Sequence, residues 1–454
     1  MTRIIVSNEI SIYDLPPVVK QRLRDELNFT YSERVMRYGE LVYESRVYPV
    51  CREGNPFVVP YGSLDVVRDI LPTADYEYKT SWWIPLALAM DWTCTLQDED
   101  DRDFQTECKR AMYESFRRKL YGMTLIAPCG SGKTRLGLSL LAELGQPTLV
   151  VVHTKELQQQ WVDRAREAFP KLAVSTIGDG KFDQSGSIVV GLVQTLAKRP
   201  EEISSAFSVV IFDEVHHVPA ETFARVANAV PATVKIGLTA SATRSDGLHP
   251  LMFAIIGPIV NRVEQRDLNQ ANVTMPPEVH WVTTGWTWNG DAAAQYTKMM
   301  TDLVNDQLRN EILVEKILDL KHEGRKILVL SARVAHLKNL EGMCSYHHNT
   351  TQLITGKEPD KKRKEAMARM VAGFPCTFAT IQIAKEGLDA PLLDTIVFAT
   401  PFRDPITAQQ AVGRIQRVAE GKQTPLVIDF IDEVGVLQSQ AHKRNLVYRK
   451  LQAV

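Results

Sequence analysis

From about residue 120 onward, short apolar runs alternate with longer amphipathic stretches. The runs 123–128 (MTLIAP), 147–153 (PTLVVVH), 187–192 (SIVVGL), 208–213 (SVVIFD) and 234–239 (VKIGLT) are rich in β-branched residues and too short for helices. Their near-continuous apolarity predicts parallel strands buried on both faces. Helical patterns such as 133–144 and 155–168 separate them, which predicts an α/β fold built on a doubly wound parallel sheet. The cycle restarts with 325–331 (RKILVLS), 376–382 (CTFATIQ), 394–400 (DTIVFAT) and 425–430 (PLVIDF). Between the two series, 265–278 holds Asn, Gln, Met and a Pro pair and is the best linker candidate. Two tandem lobes follow, roughly 96–274 and 275–454. Residues 1–95 differ: strand-like pieces (RIIVS, RVYPV, PFVVP) surround one helical pattern, 17–27, and predict a small α+β accessory domain.

Composition narrows the class. A chain of 454 residues with 44% hydrophobic and 24% charged residues and no low-complexity tract reads as a multidomain globular protein. The longest nearly apolar run, 82–90, contains Pro85 and is far short of a membrane span, and the first residues lack a signal-peptide pattern. Cysteines 51, 94, 108, 129, 344 and 376 show no C-x-x-C pairing, which argues against structural zinc or a disulfide framework and for a reducing cytoplasm. The net charge of −1 means that any grip on nucleic-acid phosphates must come from local basic clusters and helix-start N–H groups.

Ala127-Pro-Cys-Gly-Ser-Gly-Lys-Thr134 follows an apolar strand and opens a helix, the setting of a phosphate-binding loop. Gly130, Ser131 and Gly132 would let backbone N–H groups converge on phosphate oxygens. Lys133 would neutralise the β/γ-phosphates and Thr134 would offer a hydroxyl to Mg²⁺, so ATP and Mg²⁺ are the expected cofactors. The bland alternative is a glycine-rich turn that binds nothing. The run 208–213 ends in Asp213-Glu214, a carboxylate pair at a strand's C-terminal end. Asp213 would hold Mg²⁺, and Glu214 would position or deprotonate the attacking water; alone, such residues could simply cap a helix. His216 and His217 are adjacent, point apart, and read as packing residues rather than metal ligands.

The string Asp213-Glu-Val-His216 resembles motif II of superfamily two helicases, and further motifs of that family stand in order across residues 100–440. The resemblance implies two RecA-like lobes. Arg102-Asp-Phe-Gln105 is similar to the adenine-reading Q motif, where a Gln amide can pair with adenine N6 and N7. His153-Thr154 resembles motif Ia, and Gln194-Thr195 the next strand-end motif, both of which imply nucleic-acid phosphate contacts. Leu238-Thr-Ala-Ser-Ala-Thr243 resembles motif III, with its core either at 239–241 or at 241–243. In the second lobe, 379–389 resembles motif V, with Thr380 toward the nucleic-acid backbone and Gly387 and Asp389 toward nucleotide. Gln410-Ala-Val-Gly-Arg-Ile-Gln-Arg417 resembles motif VI; on a helix, Gln410, Arg414 and Arg417 share one face. The resemblance makes Arg417 the arginine finger and Arg414 its assistant, so that hydrolysis draws on both lobes.

Within the superfamily, 384–389 and Asp306-Gln-Leu-Arg-Asn310 resemble the XPB/UvsW group, which includes phage branch-migrating DNA helicases. That similarity implies single-stranded, forked or junction DNA as partner, movement 3′ to 5′, and a strand splitter made by a short hairpin or by the first 95 residues. Basic clusters at 117–119, 361–364 and 443–444 can line a track or simply be solvated helix faces. Trp82-Trp83 can stack a base or pack a domain core. An RNA-dependent ATPase of the same superfamily and a nucleotide-gated binding module without turnover are the competing functions.

Overall fold

The structure, a computed structural model, describes residues 2–37, 40–79, 91–96, 101–128, 130–214, 220–240, 249–345, 350–356, 360–385 and 390–453. The chain divides into two compact units, residues 1–127 with 132–263, and residues 264–454 with 128–131. The second unit thus begins at Glu264, ahead of the boundary at 274/275 read from sequence. Among the described residues, no helix is long and apolar enough to cross a membrane.

The first unit is built on an eight-stranded sheet. Its strands run in the order Lys181–Phe182, Val174–Gly178, Ile188–Leu192, Thr148–Val152, Val209–Asp213, Val234–Thr239, Gly122–Ile126, Ile259–Arg262. Only the first pairing is antiparallel. Every residue of the five consecutive strands from Ile188–Leu192 to Gly122–Ile126 is buried, as expected for β-branched runs covered on both faces. Helices Lys133–Leu144 and Lys155–Ala168 have the ends that the sequence predicts. The first stops at Gly145, whose φ of +57° lets its N–H return to Leu141 O at 2.9 Å.

Residues 3–78 form the α+β part of this unit. Strands Phe57–Pro60, Glu9–Ile12, Arg3–Val6 and Asp75–Tyr78 make a four-stranded sheet with helices Pro17–Leu27 and Leu64–Ile70. Alternating Ile4, Val6, Ile10, Ile12, Phe57 and Val59 supply its core with Leu23 and Val67. Two nine-residue strands, Phe29–Arg37 and Glu40–Tyr48, form a separate two-stranded antiparallel hairpin, its base closed by stacked Phe29 and Tyr48 rings 5.5 Å apart.

This part joins the large sheet through Tyr61, whose hydroxyl donates to Thr233 O at 2.7 Å. Beneath the Tyr61 ring, 5.4 Å from its centre, lies the fully buried Lys235 ammonium, which donates to Ala227 O at 2.9 Å. Burial pulls its pKa down to about 8, against a weaker opposing pull from Glu9. Between about pH 8 and 10.5 the unfolded chain therefore holds the proton more than the folded chain does, and stability rises with pH. Urea midpoints of the wild type and Lys235→Met at pH 7.5 and 9.5 test this. The wild type should gain on the variant at the higher pH; an unchanged difference would contradict the burial argument.

The second unit carries a six-stranded, all-parallel sheet in the order Glu278–Thr283, Leu426–Ile431, Thr395–Phe398, Ile327–Ser331, Cys376–Thr380, Thr351–Ile354. Helices Gln307–His322, Val334–Ser345, Asp360–Val371, Pro405–Ile415 and Gly435–Leu451 accompany it. Two buried ion pairs tie helices to strand Leu426–Ile431 and the residue after it. Arg309 bonds Asp432 through Nε and Nη2 at 2.7 and 3.2 Å and donates to Ala399 O at 3.0 Å. Arg444 bonds both Asp429 oxygens at 2.7 and 2.9 Å. Arg444 is fully buried, which corrects the reading of 443–444 as a basic surface cluster: its guanidinium is consumed by Asp429 and Phe402 O. Arg117, Arg118, Lys119, Lys361, Lys362 and Lys364 are exposed.

Candidate nucleotide site and nucleic-acid edge

Strands Gly122–Ile126 and Val209–Asp213 flank Val234–Thr239, so their C-terminal ends form one crevice edge, where parallel α/β sheets bind ligands. The chain leaves the first strand through the glycine loop. Gly130 and Gly132 have φ of +86° and +81°, a region that a Cβ disfavours, and Gly132 caps helix Lys133–Leu144. Ser131 N donates to Pro128 O at 3.3 Å within the loop, and Thr134 lies in the first helical turn. The turn presents helix-start N–H groups to an incoming anion.

Lys133 Nζ meets Glu214 Oε1 at 2.9 Å and donates to Ala127 O at 3.1 Å. Glu214 takes φ +50°, unusual for a residue with a side chain, which bends the chain just past the strand. Its N–H donates to Leu238 O at 3.0 Å, while its Oε2 accepts from Ala240 N at 3.2 Å. One carboxylate thus touches both the loop lysine and the start of the Leu238–Thr243 string. The register of that string depends on Ser241, Ala242 and Thr243, which lie outside the described residues, as do Arg244, Asp246, His216, His217, Gly387, Asp389, Trp82, Trp83 and Cys129.

Asp213 is 2% exposed, and its two oxygens differ. Oδ2 accepts from the Trp161 indole N–H at 2.7 Å. Oδ1 is buried and, among the described residues, has no hydrogen-bond partner. Burial foremost, then the Glu214 charge, pushes this carboxyl above the usual carboxylate range, with Lys133 opposing. A buried carboxylate with one idle oxygen suits a dication, whose charge would reverse that penalty. Asp213 and Thr134 are the residues that would hold Mg²⁺, which would screen the charge of the nucleotide's phosphates.

Gln105 opens helix Asp103–Arg117 and is 1% exposed. Its Oε1 accepts from Arg102 N at 3.1 Å, so the acceptor half of the amide is already engaged at the helix start. Its buried Nε2 has no partner among the described residues and stands 3.4 Å from where a Cβ on Gly132 would lie. The Q-motif glutamine and the phosphate loop are therefore brought together, with a donor left to offer.

Further along the edge, strands Thr148–Val152 and Ile188–Leu192 are paired, Val152 opposite Leu192. Thr154 caps helix Lys155–Ala168 by accepting from Leu157 N at 3.2 Å. The exposed Gln194 donates to His153 O at 2.9 Å, joining the two strand-end motifs, and Thr195 follows in the short helix Val193–Leu196.

In the second unit, Thr380 ends strand Cys376–Thr380 opposite Ser331. Gln410 and Arg414 lie one turn apart on helix Pro405–Ile415. Arg417 does not share their helix, which corrects the one-face reading. The helix ends at Ile415 because Met275 N bonds Gln416 O at 2.7 Å and Thr274 bridges Arg417, drawing the chain out of helical geometry. Lys422 then donates to Arg417 O at 2.7 Å.

Trp161 is the site residue that sequence reasoning missed. The available signal was a lone large aromatic in the otherwise polar helix KELQQQWVDRAREA.

Comparison with known proteins agrees with this geometry. Residues 99–244 match the family described as type III restriction enzyme, res subunit, and residues 308–419 match the helicase conserved C-terminal domain. A protein of Escherichia phage T5 described as a helicase is 29% identical over 326 residues, 70% of each chain. One of Acanthamoeba polyphaga mimivirus, described as an ATP-dependent RNA helicase, is 29% identical over 435 residues, 92% of this chain and 79% of the relative. The DNA 3'-5' translocase XPB2 of Sulfurisphaera tokodaii is 34% identical over 167 residues, 37% of this chain and 36% of the relative. With a phosphate loop, a carboxylate pair and two parallel-sheet units in tandem, the chain belongs to the superfamily two helicases and is an ATP-dependent helicase of two RecA-like lobes.

Proposed function

We propose that this helicase works on DNA, unwinding or branch-migrating forked and junction substrates in the 3′ to 5′ direction with Mg²⁺–ATP. The observation that carries the reading is the shared strand-end edge of the first unit. His153, Thr154, Gln194 and Thr195 stand at one part of it, and Lys133, Asp213 and Glu214 at another. The proposed phosphate grips and the proposed hydrolytic groups share one sheet edge, so that a change at the nucleotide can reach the nucleic-acid contacts. Thr380 supplies the equivalent strand-end position in the second unit. Gly387 and Asp389 complete the proposed nucleotide set, and cytoplasmic action is the expected setting.

DNA is favoured over RNA by the Asp306–Asn310 string and by the relative named as a DNA translocase. The mimivirus relative's description supports the RNA reading. Strand displacement on matched DNA forks, four-way junctions, linear DNA duplexes and tailed RNA duplexes separates the two. Faster ATP-dependent displacement of DNA forks and junctions is expected; preference for RNA would reject the proposal.

The hairpin Phe29–Arg37/Glu40–Tyr48 is the proposed strand splitter. Shortening it to a tight turn between residues 32 and 45 keeps the Phe29–Tyr48 base. Fork displacement should then fall much more than ATP hydrolysis stimulated by single-stranded DNA. Equal loss of both would remove the hairpin from the mechanism.

A further inference from the structure

Trp161 belongs to a helix whose surface is otherwise largely polar, yet its side chain is wholly buried between the phosphate-loop helix and the strand that ends in Asp213. Its single donor goes to Asp213 Oδ2 at 2.7 Å. The neighbouring helix makes room for the ring: a Cβ on Gly137 would lie 2.5 Å from the indole. A glycine within a helix costs about 1 kcal/mol relative to alanine, so this close approach is kept at the expense of helix stability. The bond fixes the carboxylate's rotation and leaves Oδ1 as the oxygen without a partner among the described residues.

We propose that Trp161 is a positioning residue for Mg²⁺: its N–H holds Asp213 so that Oδ1 faces the metal or a metal-bound water. The inference rests on the Mg²⁺–ATP reading of the site. The choice of donor matters chemically. A lysine or arginine at this place would also orient the carboxylate but would cancel the negative charge that attracts the cation. An indole N–H orients without cancelling. Groups that hold a metal-binding side chain from behind commonly change metal affinity by about ten- to a hundredfold when removed.

The test replaces Trp161 in the full-length protein with 3-benzothienylalanine, which keeps the bicyclic shape and lacks the N–H; Trp161→Phe is the companion variant. Binding of a slowly hydrolysed ATP analogue is measured by equilibrium titration in EDTA and in Mg²⁺, and the Mg²⁺ concentration giving half-maximal hydrolysis is measured separately. Metal-free affinity should stay near the wild-type value. The tightening produced by Mg²⁺ should shrink, and half-saturating Mg²⁺ should rise about tenfold. Wild-type Mg²⁺ dependence in the benzothienylalanine protein would overturn the proposal and leave Trp161 as a space-filler, whatever the Phe variant does. Nucleotide binding by the wild type that is indifferent to Mg²⁺ would instead defeat the metal reading of the site, and this proposal with it.

Discussion

Glu214→Gln is expected to lower ATP turnover by roughly a hundred- to ten-thousandfold, the range associated with loss of a positioned general base. Nucleotide binding should survive and can even tighten. In the structure, Glu214 occupies the Lys133 ammonium at 2.9 Å, so an arriving phosphate must compete with the carboxylate for that charge. The neutral amide competes less, while Ala240 N retains an oxygen acceptor in place of Oε2. Single-turnover hydrolysis and nucleotide titration, done on the same protein, separate the two effects. Loss of binding parallel to loss of turnover would mean that Glu214 holds the loop in shape rather than acting on water.

Arg417→Ala should reduce kcat by roughly a thousandfold or more, the scale on which arginine fingers act, while KM for ATP changes little. The residue is held by backbone contacts that do not depend on its side chain. Thr274 bridges it, Met275 secures the preceding carbonyl, and Lys422 bonds its own carbonyl. Truncation to Ala leaves those backbone bonds in place and removes the side chain beyond Cβ, guanidinium included. An equal fall in affinity and turnover would show that Arg417 contributes to ground-state binding instead. Gln410, 3% exposed within its helix, is poorly suited as a comparison, because its removal would also disturb packing.

The interior of the fold was legible because continuous apolar runs can hardly be anything but doubly covered strands. Val209–Asp213 and Val234–Thr239 are buried throughout, and their sequences say so. Val174–Gly178, Ile259–Arg262, Glu278–Thr283 and Thr351–Ile354 carry no such continuous run. They lie at or near sheet edges, where one side meets solvent and the apolar run is broken. In the accessory part, helix Pro17–Leu27 was legible, whereas of the long hairpin only the end of its second strand, RVYPV, stood out.

The site shows the same division. Lys133, Asp213 and Glu214 are legible as candidates in local strings, because a phosphate loop and a strand-end carboxylate need particular neighbours in sequence. Trp161 and Asp213 are far apart in the chain, and only the sheet order makes them partners. Periodicity puts Arg417 on a helix because it cannot register Met275 pulling on Gln416. Arg444 read as surface charge because nothing in its own neighbourhood announces Asp429.

Nucleic acid is expected to control ATP hydrolysis in this chain. The most direct measurement is the steady-state hydrolysis rate of the full-length protein with no nucleic acid, single-stranded DNA, forked DNA or RNA, with Lys133→Ala as the inactive reference. Hydrolysis should rise severalfold on DNA, most on forks, and stay at background in the Lys133 variant. A rate unmoved by every nucleic acid, or hydrolysis persisting without Lys133, would contradict it.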